Sequence, residues 1–314
     1  MKRQVPVLSL KDYKSQDKAV KDKFIKDLYN SFHEYGFVVV KDHSIPKNLM
    51  QKAYALQEKL FQLTLPEKNS YVQNNGGQRG YTPFGTENAK GFSVKDLKEF
   101  WHVGREYKPT DAEYSVYPKN VWPSQLPDFE NTFTELYRQL ESMGDELLEA
   151  LTYSLNVPQD FFKQRTYNGN TVMRLLHYPP VPSHLEPEQI RAQAHTDINL
   201  LTALISAQGA GLQLLDKDGS WVEVHANPDE VAINMGDMLS RITNDVLPST
   251  VHRVVNPADP SKNQSRYSMP FFIHPRKEVL LSELPKFQGQ GTKYPDILAD
   301  DFLHQRLKEI GLKK

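Results

Sequence analysis

The chain has 314 residues, with 38 Lys+Arg against 39 Asp+Glu and a formal net charge of −1, so it lacks the long-range positive field that draws proteins onto nucleic acid or anionic membranes. It has no cysteine, which excludes disulfides, Cys-ligated zinc, iron–sulfur clusters and thiol nucleophiles; any metal must be held by His, Asp or Glu. No apolar run approaches the roughly 18 residues of a membrane span, and the N-terminal residues carry no signal-peptide core, so a soluble, cytoplasmic protein is expected.

Between Asp17 and Tyr35, Val20, Phe24, Leu28 and Phe32 recur every four positions and predict a helix closed by Gly36. Phe37 to Val40 reads as a short buried strand, and Pro46 opens a second helix carrying Met50, Tyr54 and Phe61. Tyr71 to Pro127 reads as irregular and rich in Gly, Asn, Pro and aromatics, Phe92 among them, the kind of loop region that walls a binding site. A long helix follows from about Asp128 to Leu155, stopped by Pro158.

The period then changes. Residues 171–178, 199–205, 212–215, 221–224, 231–234, 250–255 and 266–274 are short β-branched or aromatic runs, separated by turn signals such as Gln208-Gly209-Ala210-Gly211 and Asn256-Pro257. Many short strands at this spacing predict a sandwich or barrel, of which the jelly roll encloses a central ligand.

Within this β region, His195 and Asp197 are two apart, so in extended chain both side chains face the same way, and His252 follows on a later strand. Two imidazoles and one carboxylate can occupy one face of an octahedral ion and leave three positions open, the arrangement of non-haem Fe(II) oxygenases. A catalytic zinc site can use the same ligand types, so the triplet alone does not select the metal. Downstream, Arg266 and Ser268 again share a strand face. A guanidinium fork and a hydroxyl suit one end of a dicarboxylate co-substrate whose other end chelates the metal.

Taken with further segments, the sequence resembles the Fe(II)- and 2-oxoglutarate-dependent dioxygenases, in the branch that includes isopenicillin N synthase. The segments are Val5-Pro6-Val7-Leu8-Ser9-Leu10, Tyr35 through Pro46, Leu60-Phe61-Gln62-Leu63 ahead of Pro66-Glu67-Lys68, Gly80-Tyr81, Asp96 to Phe100, Arg174 to Pro180, Asn234-Met235-Gly236-Asp237 and Asn244. The resemblance implies an α+β fold: a double-stranded β-helix (jelly-roll) core with an N-terminal helical region and a long helix packed against it. It implies an N-terminal region at 1–125 and a catalytic region at 126–314, with the core at about 170–276, as one compact unit.

The resemblance further implies that His195, Asp197 and His252 ligate Fe(II), that Arg266 and Ser268 bind the C5 carboxylate of 2-oxoglutarate, and that Tyr178 hydrogen-bonds the co-substrate. Leu176 stands where many relatives have Asn, so no polar help is expected there. The implied reaction uses O2, with ascorbate as a supporting reductant, and oxidises a small-molecule substrate, most simply by hydroxylation, with formation of succinate and CO2. The alternatives are an isopenicillin N synthase-type oxidase that needs no 2-oxoglutarate, a desaturating, ring-forming or ethylene-forming relative, and a ligand-binding jelly roll without catalysis.

For the substrate pocket, Phe272 shares the strand face of Ser268, Arg174 can project into the cavity toward an acidic substrate group, and Tyr81 and Phe84 are candidate wall residues. A monomer or homodimer is expected, with no nucleic-acid or membrane partner.

Overall fold

The computed structural model describes residues 3–74, 76–87, 94–185, 189–205, 210–289 and 291–309. Phe92 and the Gln208-Gly209 part of one expected turn lie outside these residues. The first half contains β1 (Val7–Ser9), α1 (Leu10–Tyr13), α2 (Lys18–Tyr35), β2 (Phe37–Lys41), α3 (Lys47–Gln62), α4 (Leu65–Asn69), β3 (Gly80–Thr82), β4 (Glu99–Gly104), α5 (Phe129–Leu155) and α6 (Lys163–Thr166). The second half contains β5 (Val172–Tyr178), β6 (Ala192–His195), β7 (Leu201–Ile205), β8 (Leu212–Leu215), β9 (Trp221–Glu223), β10 (Val231–Met235), α7 (Asp237–Ile242), β11 (His252–Val254), β12 (Arg266–Ile273) and, near the C-terminus, α8 (Ala299–Glu309).

Two sheets form the core. The larger runs β1-β2-β10-β7-β12-β5-β4-β3 and the smaller β6-β11-β8-β9. Apart from the parallel β1–β2 pair, neighbours are antiparallel, and β1 to β4 extend the sheet built by the C-terminal strands. The double-stranded jelly roll is thus present, with the N-terminal strands at both flanks of its larger sheet.

Strand alternation divides the larger sheet into a helix-facing side and a site-facing side. On β12, Tyr267, Met269, Phe271 and Ile273 enter the main apolar core shared with α2, α3 and α5. Arg266, Ser268, Pro270 and Phe272 line the space between the sheets instead, together with Arg174, Leu176 and Tyr178 of β5 and Thr202 and Leu204 of β7. A second apolar cluster of Phe100, Leu176, Tyr178, Ala192 and Val254 closes part of that space.

The helices follow the sequence periods closely. In α2, Phe24, Leu28 and Phe32 are buried, whereas Val20 is 37% exposed. Four residues advance a helix 40° past a full turn, so a strict four-residue spacing drifts off the buried stripe over three steps. Asp17 accepts a hydrogen bond from the Ala19 amide as N-cap, and Gly36 ends the helix at φ 65°, where an added Cβ would lie 2.2 Å from Thr250 Oγ1. α5 ends at Asn156 in the left-handed conformation, two residues before Pro158.

The expectation of an irregular 71–127 segment is corrected by β3 and β4. Every residue of β4 is buried, so Glu99-Phe100-Trp101-His102-Val103-Gly104 shows no polar alternation to reveal it. Its Glu and His are satisfied internally: Glu99 accepts from Lys68, Tyr81 and His177, and His102 Nδ1 lies 2.6 Å from the Gly77 carbonyl.

Candidate active site

His195 ends β6 and His252 begins β11, and the two are paired in register across the smaller sheet. Asp197 lies just beyond the end of β6, so the extended-strand argument holds only to His195. The Asp197 carbonyl accepts the Asp237 amide at 2.7 Å, fixing the loop against the start of α7. His195 Nε2 and His252 Nε2 lie 3.9 and 3.8 Å from Asp197 Oδ1, and the three prospective ligand atoms fall within 4.8 Å of one another.

Each ligand has its second polar atom occupied. His195 Nδ1 donates to the Gln193 carbonyl at 2.6 Å and His252 Nδ1 to the Thr250 carbonyl at 3.1 Å, which leaves both Nε2 lone pairs turned to the centre. Asp197 Oδ2 accepts from Thr202 Oγ1 at 2.5 Å and Asn234 Nδ2 at 2.8 Å, leaving Oδ1 inward. Burial and the adjacent His252 push His195 down to about 4, favouring the neutral imidazole that binds metal. The adjacent His252 and His195 and the two hydrogen bonds hold Asp197 below its ordinary value against the opposing effect of burial. This donor set fits a divalent first-row metal with one face coordinated.

The triad borders an inner compartment of about 70 Å³, which also receives Arg266, Ser268, Tyr178 and Leu176. Register places Arg266 opposite Tyr178 and Ser268 opposite Leu176. Arg266 is only 2% exposed, yet its Nε and Nη1 have no hydrogen-bond partner, and its guanidinium carbon sits 5.2 Å from the Tyr178 ring centre. A buried guanidinium left unpaired is costly, and a carboxylate is its natural complement. These residues therefore fit one end of a dicarboxylate. Gln57 of α3, missed by sequence reasoning, supports both strands: its amide nitrogen donates to the carbonyls of Leu176 at 2.8 Å and Ser268 at 3.1 Å.

An outer compartment of about 340 Å³ adjoins the inner one, and Lys98, Arg174, His195, Asp197 and Phe272 border both. Phe272 therefore stands at the junction. Arg174 does as well, but its charge is engaged: Nη1 meets Glu87 at 3.1 Å and Nε lies 2.6 Å from His102 Nε2. Glu87 and Asp96 also bracket Lys98 at 2.6 and 2.8 Å, so two cations and two carboxylates form a self-neutralising group. On α8, Leu303, Arg306 and Leu307 close the far wall.

Tyr81 and Phe84 are not brought to this cavity. Tyr81 pairs with Trp101 on β4, shares its helix-facing side and directs its hydroxyl to Glu99. Phe84 follows in a turn and is 47% exposed. Glu87 and the supporting Thr202 carry no sequence signal of their own, and Lys98 is marked only as part of the Asp96 to Phe100 segment, because each acts through contacts made only in the folded chain.

Comparisons with known proteins agree with this geometry. Residues 5–125 match the family described as non-haem dioxygenase in morphine synthesis N-terminal, and residues 169–275 match the 2OG-Fe(II) oxygenase superfamily. The chain is 30% identical over 317 residues to the 2-oxoglutarate-Fe(II) type oxidoreductase hxnY of Emericella nidulans, covering 97% of this chain and 89% of that protein. A crystal structure of a protein from Caulobacter crescentus assigned to the 2OG-Fe(II) oxygenase family superposes with a TM-score of 0.87 at 40% identity, covering 98% of this chain and 99% of the other. A full-length Neurospora crassa protein crystallised in complex with alpha-KG and thymine superposes with a TM-score of 0.86 at 26% identity, covering 97% of this chain and 96% of the other. With both regions matched and the His-Asp-His centre in place, the chain belongs to the 2OG-Fe(II) oxygenase superfamily and is an iron- and 2-oxoglutarate-dependent oxidoreductase.

Proposed function

We propose that the chain hydroxylates a small-molecule metabolite at the junction of the two compartments, with His195, Asp197 and His252 holding Fe(II) and Arg266, Ser268 and Tyr178 holding 2-oxoglutarate. The observation that carries this reading is the buried Arg266 guanidinium, with Nε and Nη1 unpartnered, in the same inner compartment as the triad. Bound Fe(II) and 2-oxoglutarate supply the oxidising chemistry, in which O2 is reduced and the oxo acid becomes succinate and CO2.

The chain's own residues orient and shield that chemistry. Arg266 and Ser268 would hold the distal carboxylate of the oxo acid in the compartment that the triad borders. Tyr178 packs beside the guanidinium, while Leu176 adds only apolar surface. Phe272 and Arg174 stand where substrate enters the shared boundary, and the apolar cluster around Phe100 limits water access. O2 as oxidant, ascorbate as supporting reductant and a cytoplasmic location belong to the same reading. Among the described residues no helix is long and apolar enough to cross a membrane.

The test is a metabolite screen with Fe(II), ascorbate and 2-oxoglutarate, scored by substrate-dependent succinate release and O2 uptake. One succinate per O2 is expected. Substrate-dependent O2 uptake without succinate would overturn the reading in favour of an oxidase that uses no 2-oxoglutarate.

A further inference from the structure

Among the described residues, two arginines have two buried guanidinium nitrogens each without a hydrogen-bond partner. One is Arg266 in the inner compartment. The other is Arg79, which lines the outer compartment, is 1% exposed and leaves Nε and Nη2 unpartnered.

The free edge of Arg79 has a defined shape. Nη1 is tied to the Gln78 carbonyl at 2.7 Å. A Cβ built on Gly104 would lie 2.0 to 2.3 Å from Nη2, the guanidinium carbon and Nε, so the glycine backbone packs closely against the group. What remains is the Nε–Nη2 side, the side that accepts a carboxylate through two parallel hydrogen bonds. The hydroxyls that surround it have other uses: Tyr107 donates to the Gly169 carbonyl and Tyr137 to the Thr171 carbonyl, while Tyr117 accepts the Lys277 amide.

The other cations of the outer wall already have carboxylates. Lys98 has Glu87 and Asp96, Arg174 has Glu87, and Arg306 has Asp237 at 3.1 Å and Glu309 at 2.7 Å. Among the described residues, Arg79 has no carboxylate within ion-pair distance. Burial holds its proton affinity below the ordinary arginine value, yet arginine stays charged at neutral pH. Arg79 lines the outer compartment with Nε and Nη2 enclosed and unpartnered, so an anionic group reaching that edge would offset a desolvation cost that the protein leaves unmet. Asn170 and His274 also line the outer compartment, with Asn170 Oδ1 and His274 Nδ1 buried and unpartnered, and they offer polar groups to a hydroxyl or amine on the same ligand.

We propose that the primary substrate is a small carboxylic acid whose carboxylate is held by the Nε–Nη2 fork of Arg79. This rests on the function proposed above and deepens it: Arg266 anchors the co-substrate at one end of the cavity and Arg79 anchors the substrate in the other compartment. The volume of about 340 Å³ is at the small end of ligand pockets, which range over roughly 300–1,000 Å³.

The test uses wild type, Arg79→Gln and Arg79→Lys, each loaded anaerobically with Fe(II) and saturating 2-oxoglutarate, and titrated calorimetrically with acid and amide pairs: L-proline and L-prolinamide, phenylacetate and phenylacetamide, benzoate and benzamide. In wild type, at least one acid is expected to bind more tightly than its amide. Arg79→Gln should weaken that acid by roughly 10- to 150-fold, the range of a lost charged hydrogen bond, and leave the 2-oxoglutarate affinity within about twofold. Arg79→Lys should retain part of the preference and guards against misfolding of the neutral variant. Acids binding no better than amides, or an unchanged preference in Arg79→Gln, would overturn the proposal. Failure of wild type to bind 2-oxoglutarate would instead reject the underlying function, and it is read separately in the same titrations.

Discussion

Thr202 Oγ1 donates to Asp197 Oδ2 at 2.5 Å, and this bond decides which carboxylate oxygen faces the metal centre. Asn234 reinforces it from β10 at 2.8 Å. Supporting partners of this type typically change metal affinity by about 10- to 100-fold. Thr202→Val should therefore weaken Fe(II) binding by that order in an anaerobic titration, and Thr202→Ser should restore most of it. Wild-type affinity in Thr202→Val would show that the carboxylate is oriented by other contacts.

Removing His195 or Asp197 by alanine should abolish substrate-coupled succinate formation. Arg266→Ala acts differently, because the metal ligands stay in place. The KM for 2-oxoglutarate should rise by roughly 10- to 150-fold, as expected for losing charge-assisted hydrogen bonds. Ser268→Ala should give a smaller rise. Initial rates at varied 2-oxoglutarate check both, and full Arg266→Ala activity at an unchanged co-substrate concentration contradicts the assigned role.

Gln57 reaches across the core from α3 to two strands at once. Replacing it with Leu leaves the buried Leu176 and Ser268 carbonyls without that donor and costs about 1–3 kcal/mol of stability. Because Ser268 lies on the co-substrate wall, KM for 2-oxoglutarate should rise alongside the fall in Tm. A lowered Tm with unaltered KM would confine Gln57 to a structural part.

The contrast among these residues shows what sequence can carry. Arg266 and Ser268 are two apart on β12, so strand parity groups them, whereas His195 and Asp197, also two apart, are brought together by the loop that follows β6. Gln57 instead meets Leu176 and Ser268 at separations of 119 and 211 residues, which no local period encodes. Tyr81 shows the opposite hazard: its aromatic surroundings suggested a pocket wall, but a one-residue change of parity sends a strand side chain to the other face, and β3 was not visible as a strand. Arg174 lines both compartments, but its pairing with Glu87, 87 residues away in sequence, is encoded by no local period.

Asp145 on α5 provides a prediction independent of the active site. Burial pushes its carboxyl up from 3.8 to about 6, with Glu141 and Glu146 adding to the rise and Lys163 and Arg105 opposing it. Between those values the folded protein holds a proton that the unfolded chain has released, so stability falls as pH rises from about 4 to about 6 and the full penalty persists at pH 7. Asp145→Asn removes the titrating group. It should raise stability at pH 7 by about 1–2 kcal/mol, allowing for solvent screening of a partly buried side chain, and change little at pH 4. Thermal unfolding at the two pH values measures this difference. An equal shift at both would assign the effect to altered packing of α5, because only ionisation makes the gain depend on pH.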